Sequence, residues 1–317
     1  MSNLIKKVQN TCFQNDLLKK GDRILLAVSG GPDSVALLNI FLSLQKKYSL
    51  ELAIVHVNYN LRGTDSQKDE ELARKLAKKN SLKIFIKNVK VAKKNISENY
   101  LRNLRYDFFE KTRSKNKFNF IAVAHNADDQ VETFLMRIIR GSGLSGLSAM
   151  KFKNNFIIRP LLATSRREII EYLKKNKITY RIDKTNKQNL FLRNKIRNKL
   201  IPQLEKNFNP NIRETVLNSL YSISEDAEFL ENSTEKYFKE IGELKIKDLK
   251  KLHPAILRRV LRKKLEAKRG DLKNINTRNI EEIIKIIKST KNKNQFVIIP
   301  GLKITRKNDR LNIIKIN

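Results

Sequence analysis

The chain has a single cysteine, Cys12, and no tryptophan among its 317 residues. One cysteine excludes an internal disulfide and any zinc or iron–sulfur site built on cysteine pairs. No apolar run approaches the roughly 18 residues of a membrane-spanning helix, and the N-terminus lacks a signal-peptide core. We therefore expect a soluble, cytoplasmic protein that does not bind a membrane. The sequence leaves the oligomeric state open, a homodimer included.

Acidic residues are also scarce. The chain has 67 lysines and arginines against 32 aspartates and glutamates, which gives a formal net charge of +35. An AT-rich coding sequence would explain a preference for lysine over arginine, but not the shortage of acids. The excess of positive charge indicates a polyanionic partner, and nucleic acid is the first candidate.

A glycine-rich turn, Ser29–Ser34, follows the apolar run Arg23–Val28 and precedes the apolar helical pattern Val35–Leu42. This arrangement predicts a strand, a tight turn and a helix N-terminus, which is where α/β sheets bind phosphate. Gly30 and Gly31 allow the backbone to approach phosphate oxygens. The turn has neither the Walker A spacing nor the dinucleotide-binding glycine spacing.

The other residues of this turn suit the same purpose. Pro32 fits the first helical turn, where its missing N–H has no cost. Ser29 and Ser34 can cap the helix or donate to phosphate oxygens. Asp33 would repel a phosphate unless a cation lies between them, which predicts a Mg²⁺ ion.

Polar side chains also follow the second and fourth predicted strands. His56, Asn58 and Arg62 come at the end of the second, beside the phosphate-binding turn if the sheet is parallel. His125 follows the fourth, and three carboxylates come within one helical turn after it. Those carboxylates, Asp128, Asp129 and Glu132, indicate a site for Mg²⁺, for a substrate ammonium, or for both.

Apolar strands alternate with helical patterns through the first half, which predicts an α/β fold with a doubly wound parallel sheet. Helical periodicity dominates beyond residue 212, so we predict two domains, 1–205 and 206–317. The second is smaller, mainly helical and ends in short strands. The predicted strands are Arg23–Val28, Glu51–Val57, Lys83–Val89, Asn119–Ala124, Phe156–Arg159, Gln295–Ile299, Lys303–Arg306 and Arg310–Ile316.

The turn Ser29–Ser34 resembles the pyrophosphate-binding loop of the N-type ATP pyrophosphatases, which cleave ATP between its α- and β-phosphates. Other stretches narrow the resemblance to the tRNA(Ile)-lysidine synthetase family in its shorter form, although Tyr59 stands where that family usually has a second histidine. These stretches are His56–Asn58, Leu61-Arg62, Glu98…Arg102…Arg105-Tyr106, Ala124-His125, Asp128-Asp129…Glu132-Thr133, Arg140–Gly143, Arg159–Leu161 and Asp183…Asn186…Arg193-Asn194…Arg197.

The resemblance implies a two-step reaction with ATP and Mg²⁺. ATP adenylates the C2 oxygen of the cytidine at the first anticodon position of an isoleucine tRNA with a CAU anticodon. The ε-amine of free L-lysine then displaces AMP, and the lysidine formed changes the codon and the amino-acid identity from methionine to isoleucine. The implied catalytic residues are Asp33, with its Mg²⁺, His125, Asp128, Asp129 and Glu132.

In this resemblance the three clustered carboxylates hold and deprotonate lysine, and His125 and Arg140 contact the adenylate or the base. The residues expected to bind the nucleotide are Ser29, Gly30, Gly31, Pro32, Asp33, Ser34, His56, Asn58, Arg62, Arg140 and Gly141. Basic residues supply the RNA surface, and residues 245–269 alone hold eleven lysines and arginines against two acids. The residues expected to bind tRNA are Arg102, Arg105, Arg193, Arg197, Arg258, Arg259, Arg262 and Lys263.

Two alternatives stay open. One is another enzyme with this loop, such as a tRNA thiolase or a small-molecule amide ligase. The lone cysteine opposes thiolation, and the basic excess opposes a small free substrate. The other is a basic RNA-binding protein without catalytic activity, whose RNA affinity would not respond to ATP.

Overall fold

The computed structural model describes residues 3–61, 63–89, 97–181, 191–291 and 294–316. The chain divides into two compact units, Met1–Tyr221 and Ser222–Asn317. Arg62 and the segment with Asp183 and Asn186 lie outside the described residues.

The first unit contains a six-stranded sheet in the order β3-β2-β1-β4-β6-β5. Its pairs are parallel except β5 with β6, which is antiparallel. The predicted α/β fold is therefore confirmed, and only the two-residue edge strand β5 was not predicted. The strands are β1 Arg23–Ala27, β2 Glu51–Asn58, β3 Lys83–Asn88, β4 Phe120–Ala122, β5 Lys153–Asn154 and β6 Ile157–Ile158.

Helices cover both faces of this sheet. Ile24 and Leu26 of β1 belong to one buried cluster, whereas Leu25 belongs to a cluster on the opposite face, so the strand is apolar on both sides. The helices of the first unit are α1 Asn3–Gln14, α2 Pro32–Tyr48, α3 Thr64–Lys79, α4 Glu98–Lys115, α5 Ala127–Ile139, α6 Leu144–Leu147, α7 Arg166–Lys175, α8 Leu192–Lys195 and α9 Ile201–Asn207, with a π-helical turn at Ile196–Leu200.

Short polar side chains fix several helix starts. Ser97 caps α4 by accepting a hydrogen bond from the Tyr100 amide, as its sequence position predicts. Ser165 and Glu168 form a reciprocal capping box that starts α7. A second box, between Asn126 and Asp129, starts α5. These caps decide where the polar side chains of each first turn are held.

The strand order determines where a site can form. β1 pairs with β2 on one side and with β4 on the other, although β4 follows β3 in the chain. The order of connection therefore reverses between β1 and β4, and ligands bind at such points, beyond the carboxyl ends of the strands. The segments after β1, β2 and β4 carry the residues predicted to bind the nucleotide or to act in catalysis.

The second unit has its own core of isoleucines and leucines from helices and an antiparallel sheet, including Leu261, Ile283 and Leu302. It is mainly helical and ends in short strands, as predicted. Its elements are α11 Ile246–Lys251, α12 Pro254–Arg269, α13 Thr277–Lys288, β7 Gln295–Ile299, β8 Leu302–Lys307 and β9 Arg310–Lys315, and α10 Ile212–Glu240 contains the point of division. In the described part of the chain, no helix has the length and apolarity to span a membrane.

Candidate active site

The turn after β1 has the geometry of an anion-binding loop. Gly30 has a φ of +89°, a left-handed conformation that favours glycine. Gly31 is the N-cap of α2 and provides no side-chain cap, and Pro32 occupies the first turn. Ser34 donates its hydroxyl to the Gly31 carbonyl oxygen at 2.9 Å and accepts from the Ser29 amide at 3.1 Å. The serines therefore brace the loop and leave the first-turn amides of α2 without a side-chain cap.

Arg181 connects this loop to α3 through hydrogen bonds. The Arg181 amide donates to the Gly30 carbonyl oxygen at 3.0 Å. The Arg181 side chain donates to Asp69 at 2.6 Å and to Asp65 at 2.9 Å, both on α3. A Cβ added at Gly30 would lie 3.5 Å from the Asp69 carbonyl oxygen. The loop, α3 and residue 181 therefore form one connected support.

His56 and Asn58 are both buried at the end of β2. His56 is buried, its Nδ1 lies 2.8 Å from the Val28 carbonyl oxygen, and burial lowers its pKa. Asn58 is also buried and donates to Glu70 at 2.9 Å. Both were predicted to bind the nucleotide, and the structure places both on neighbouring protein groups.

A cavity of about 220 Å³ opens beside the loop. Its polar mouth is formed by Ser29, Gly31, Asp33, Ser34 and His125. Arg105 and Tyr59 also line it, and the Tyr59 hydroxyl donates to the Leu101 carbonyl oxygen at 2.9 Å. The apolar walls come from Ala27, Val28, Val55, Val57, Tyr106, Phe109, Val123 and Ala124.

Asp33 has one oxygen paired and the other without a partner. Its Oδ2 lies 2.5 Å from Nη1 of Arg166, the first residue of α7. Its Oδ1 is buried, and no donor in the described part of the chain forms a hydrogen bond with it. Burial raises the pKa of Asp33, and the charge of Arg166 opposes that shift. Arg166 was not among the predicted site residues, and its one local signal is its position directly after the Ser165 cap.

The three carboxylates of α5 come together as predicted, and each meets an arginine. Asp128 accepts from Nη1 of Arg213 at 2.6 Å and from the Arg166 amide at 2.7 Å. Glu132 is 1% exposed and accepts two hydrogen bonds from Arg197, at 2.5 and 2.8 Å. Asp129 accepts from Arg197 at 3.3 Å. Burial raises the pKa of Glu132, and the hydrogen bond from Arg197 opposes this.

Two of the arginines predicted to bind tRNA therefore lie at this acidic cluster. Arg197 bridges Asp129 and Glu132, and Arg193 donates to the Thr133 hydroxyl at 3.2 Å. Arg213, at the start of α10, was not predicted at all. The cluster is nearly balanced in charge, because arginines already occupy its carboxylate oxygens.

His125 is held neutral. Its Nδ1 is buried without a hydrogen-bond partner in the described residues, while part of the ring faces the cavity. Burial holds the pKa of His125 well below its usual value, and four nearby arginines, of which Arg159 has the largest effect, lower it further. A neutral imidazole can donate or accept one hydrogen bond at a substrate without adding a charge.

A second cavity, of about 680 Å³, has a different lining. Arg102 and Arg193, predicted to bind tRNA, line it. Arg140 also lines this second cavity, and it does not line the one beside the loop, where the prediction would place it. Gly141 follows directly, with a φ of +74°.

The basic residues of α12 in the second unit are partly paired. Arg258 lies 2.6 Å from Glu281, and Lys263 lies 2.8 Å from Glu231 and 2.5 Å from Glu235. Arg259 donates to the Ala255 carbonyl oxygen at 3.0 Å, and Arg262 is partly exposed on the same helix. The net charge that this helix presents is therefore smaller than its sequence suggests.

Comparison of this sequence with known proteins identifies its relatives. The model of the PP-loop domain family matches residues 2–204. The tRNA(Ile)-lysidine synthase of Clostridioides difficile (strain 630) is 37% identical over 97% of this chain and 70% of its own length. That of Clostridium perfringens (strain 13) is 40% identical over 88% and 62%. That of Chlorobaculum tepidum is 37% identical over 81% and 75%.

A solved structure has the same fold at lower identity. The U34-tRNA thiolase NcsA from Methanococcus maripaludis, with its [4Fe-4S] cluster, superposes with a TM-score of 0.57 at 19% identity. The match covers 70% of this chain and 80% of that one. It supports the architecture of the sheet and its helices.

The chain spans 62 to 70% of the length of the C. perfringens and C. difficile relatives. Within that span the loop, the histidine and the carboxylates all lie in the matched part. The chain belongs to the tRNA(Ile)-lysidine synthase family, among the proteins with a PP-loop domain.

Proposed function

We propose that this protein ligates L-lysine to C2 of the first anticodon cytidine of an isoleucine tRNA with a CAU anticodon, at the expense of ATP. One observation carries the proposal: the uncapped turn before α2 shares a cavity with a neutral histidine, and Arg166 connects Asp33 of α2 to Asp128 of the acidic cluster. Residues 1–205 then form the adenylating domain, and residues 206–317 form a basic tRNA-binding domain.

The first step needs a place for ATP. The first-turn amides of α2 suit the leaving pyrophosphate, and the apolar cavity beside them suits a base and its ribose. The cytidine C2 oxygen attacks the α-phosphorus, a P–O bond forms, and the bond to the pyrophosphate breaks. The loop amides stabilise the charge that develops on the leaving group.

Asp33 fits a Mg²⁺ ion bound together with these phosphates. Its buried Oδ1 has no hydrogen-bond partner in the described residues, so one carboxylate oxygen remains for a cation. No group of three or more metal-ligating side chains occurs among the residues that the structure describes. Mg²⁺ takes most of its ligands from substrate phosphates and water, so one carboxylate suffices, and the ion would neutralise phosphate charge.

The second step needs a neutral amine. Lysine arrives as an ammonium, and a carboxylate of α5 holds it and accepts its proton. The ε-nitrogen then attacks C2 of the cytidine, the C–N bond forms, and the bond to the oxygen of AMP breaks. Because Arg197 and Arg213 occupy these carboxylates, we propose that one arginine moves aside when lysine binds.

The test uses the full chain, ATP, lysine and an unmodified tRNA with a CAU anticodon. We expect AMP formation that depends on lysine, and lysidine at the first anticodon position by mass spectrometry. The matched control is the same tRNA with uridine at that position, which should give neither product. Sulfur incorporation without lysine would indicate a thiolase, and RNA binding without pyrophosphate release would indicate a non-catalytic protein.

The Asp33→Ala variant should lose adenylation and keep its RNA affinity. Removal of the carboxylate removes the proposed Mg²⁺ ligand, so pyrophosphate release should fall by about 100-fold or more. The measurement is pyrophosphate release without lysine, together with RNA binding by fluorescence anisotropy. Asp16→Ala, at an exposed aspartate, is the control. Normal adenylation in Asp33→Ala would contradict the assignment.

The Asp128→Asn variant should separate the two steps. We expect the KM for lysine to rise about tenfold or more, since a charge-assisted hydrogen bond to the ammonium is lost. Adenylation without lysine should stay within about twofold of the wild-type rate, because the amide oxygen of Asn can still accept the hydrogen bond from the Arg166 amide. Glu205→Gln is the matched control, since Glu205 bonds the same Arg213 at 2.7 Å. Equal effects in both variants would assign the effect to Arg213.

The His125 ring should stay neutral when the folded protein is moved from about pH 7.5 to 6.0, whereas in urea it should titrate near pH 6.5. The unfolded chain then binds a proton that the folded chain does not, so this ring lowers stability as pH falls through about 6.5, by up to ~1.4 kcal/mol per pH unit. The measurement is the ring chemical shift by NMR. His125→Asn should show a shallower fall in stability, and a folded-state midpoint near 6.5 would contradict the prediction.

A further inference from the structure

Among the side chains that the structure describes, those lining the larger cavity of the first unit include six cations and no carboxylate. They come from five separate segments of the chain. The lining cations are Arg102, Arg137, Arg140, Lys151, Arg159 and Arg193. Six like charges around one space repel each other, so a structure that keeps them together favours an anion within it.

Arg159 gives an independent indication of an anionic ligand. The residue is 6% exposed, and its Nη1 donates to the Lys151 carbonyl oxygen at 2.8 Å. Its Nε is buried and donates to no acceptor in the described part of the chain. A buried, unused guanidinium donor is costly unless a ligand accepts from it.

The rest of the lining suits a nucleotide better than a free inorganic anion. Phe191 is 40% exposed and lines the cavity, where its ring can stack against a base. Neutral hydrogen-bonding side chains stand among the cations and match the sugar and base edges of RNA. These are Ser97, Asn99, Thr133 and Asn154.

The cavity also adjoins the proposed reaction site. Three of its arginines, Arg102, Arg159 and Arg193, are among those that depress the pKa of His125. Arg193 also bonds Thr133, the residue next to Glu132. A nucleotide strand in this cavity would therefore pass close to the histidine and the acidic cluster.

We propose that this cavity binds single-stranded RNA beside the modified cytidine: its cations hold backbone phosphates, and Phe191 stacks one base. The inference rests on the proposed function and adds a subsite to it. It reassigns Arg140 from nucleotide binding to RNA binding, and it adds Arg137, Lys151, Arg159 and Phe191 to the residues expected to bind RNA.

The test compares two double variants of the full chain. Arg140→Gln/Lys151→Gln removes two exposed cations of the cavity, so the fold should be retained. Arg167→Gln/Lys174→Gln removes two exposed cations of α7, outside the cavity, and is the matched control. The ligand is a hairpin RNA with the CAU anticodon loop, and its Kd is measured over about 50 to 200 mM salt.

Each lost cation should remove one phosphate contact, which contributes ~0.7 to the steepness of log K against log salt for a single strand. We therefore expect this slope to become shallower by about 1.4 in the cavity variant and to stay unchanged in the control. The KM for RNA should rise, while kcat and the KM for ATP should not. A slope equal to that of the wild type would overturn the proposal.

Stacking is tested separately. Phe191→Ala should weaken hairpin binding by about 5- to 150-fold. Phe208→Ala, at a residue 75% exposed outside the cavity, should not. Equal effects of the two variants would show that no base stacks on Phe191 in this cavity. Equally strong displacement of the hairpin by a poly-glutamate peptide of matched charge would show a general polyanion site and also overturn the proposal.

These outcomes are separable from those of the proposed function. If the wild-type protein forms lysidine and the cavity variants bind RNA normally, only this inference fails. If no lysidine forms but the cavity variants lose affinity and slope, the RNA site stands and the proposed reaction fails.

Discussion

Pairing between carboxylates and arginines is the constraint on which the first unit depends. Glu132 is almost completely buried, and a carboxylate at that depth needs a cation and hydrogen bonds. Removal of one partner from such a pair costs about 3–5 kcal/mol, because it leaves the other charge unpaired. Arg197 therefore fixes the segment after α8 against α5, and Arg213 fixes the start of α10 through Asp128. The acids that serve chemistry in our proposal also hold these segments in place.

Local patterns were enough to predict the sheet and the loop. Strands with apolar residues on both faces, such as β1 and β2, stand out as short apolar runs, and the Ser97 and Ser165 caps have clear local signatures. The strand β5 has only two residues, so no periodicity could reveal it. The clustering of the three carboxylates of α5 also followed from sequence, because Asp128, Asp129 and Glu132 lie within about one helical turn of each other.

The partners of those carboxylates could not be predicted. Arg166 lies 133 residues from Asp33 in the sequence, and Arg213 lies 85 residues from Asp128. Nothing near either arginine marks it as a site residue, because its role comes from tertiary packing. The same limit affected α12, where Arg258 and Lys263 meet glutamates of α13 and α10. A count of charges along one helix overstates the field that it presents.

The connection that Arg181 makes between Gly30 and Asp69 has a consequence for the stiffness of the loop. Because Arg181 bonds both positions, a force that a ligand exerts on the loop is shared with α3. Thermal fluctuation of the loop is thereby restrained by the packing of a whole helix. Loss of the carboxylate of Asp65 or Asp69 would therefore make the loop more mobile, although neither residue belongs to it.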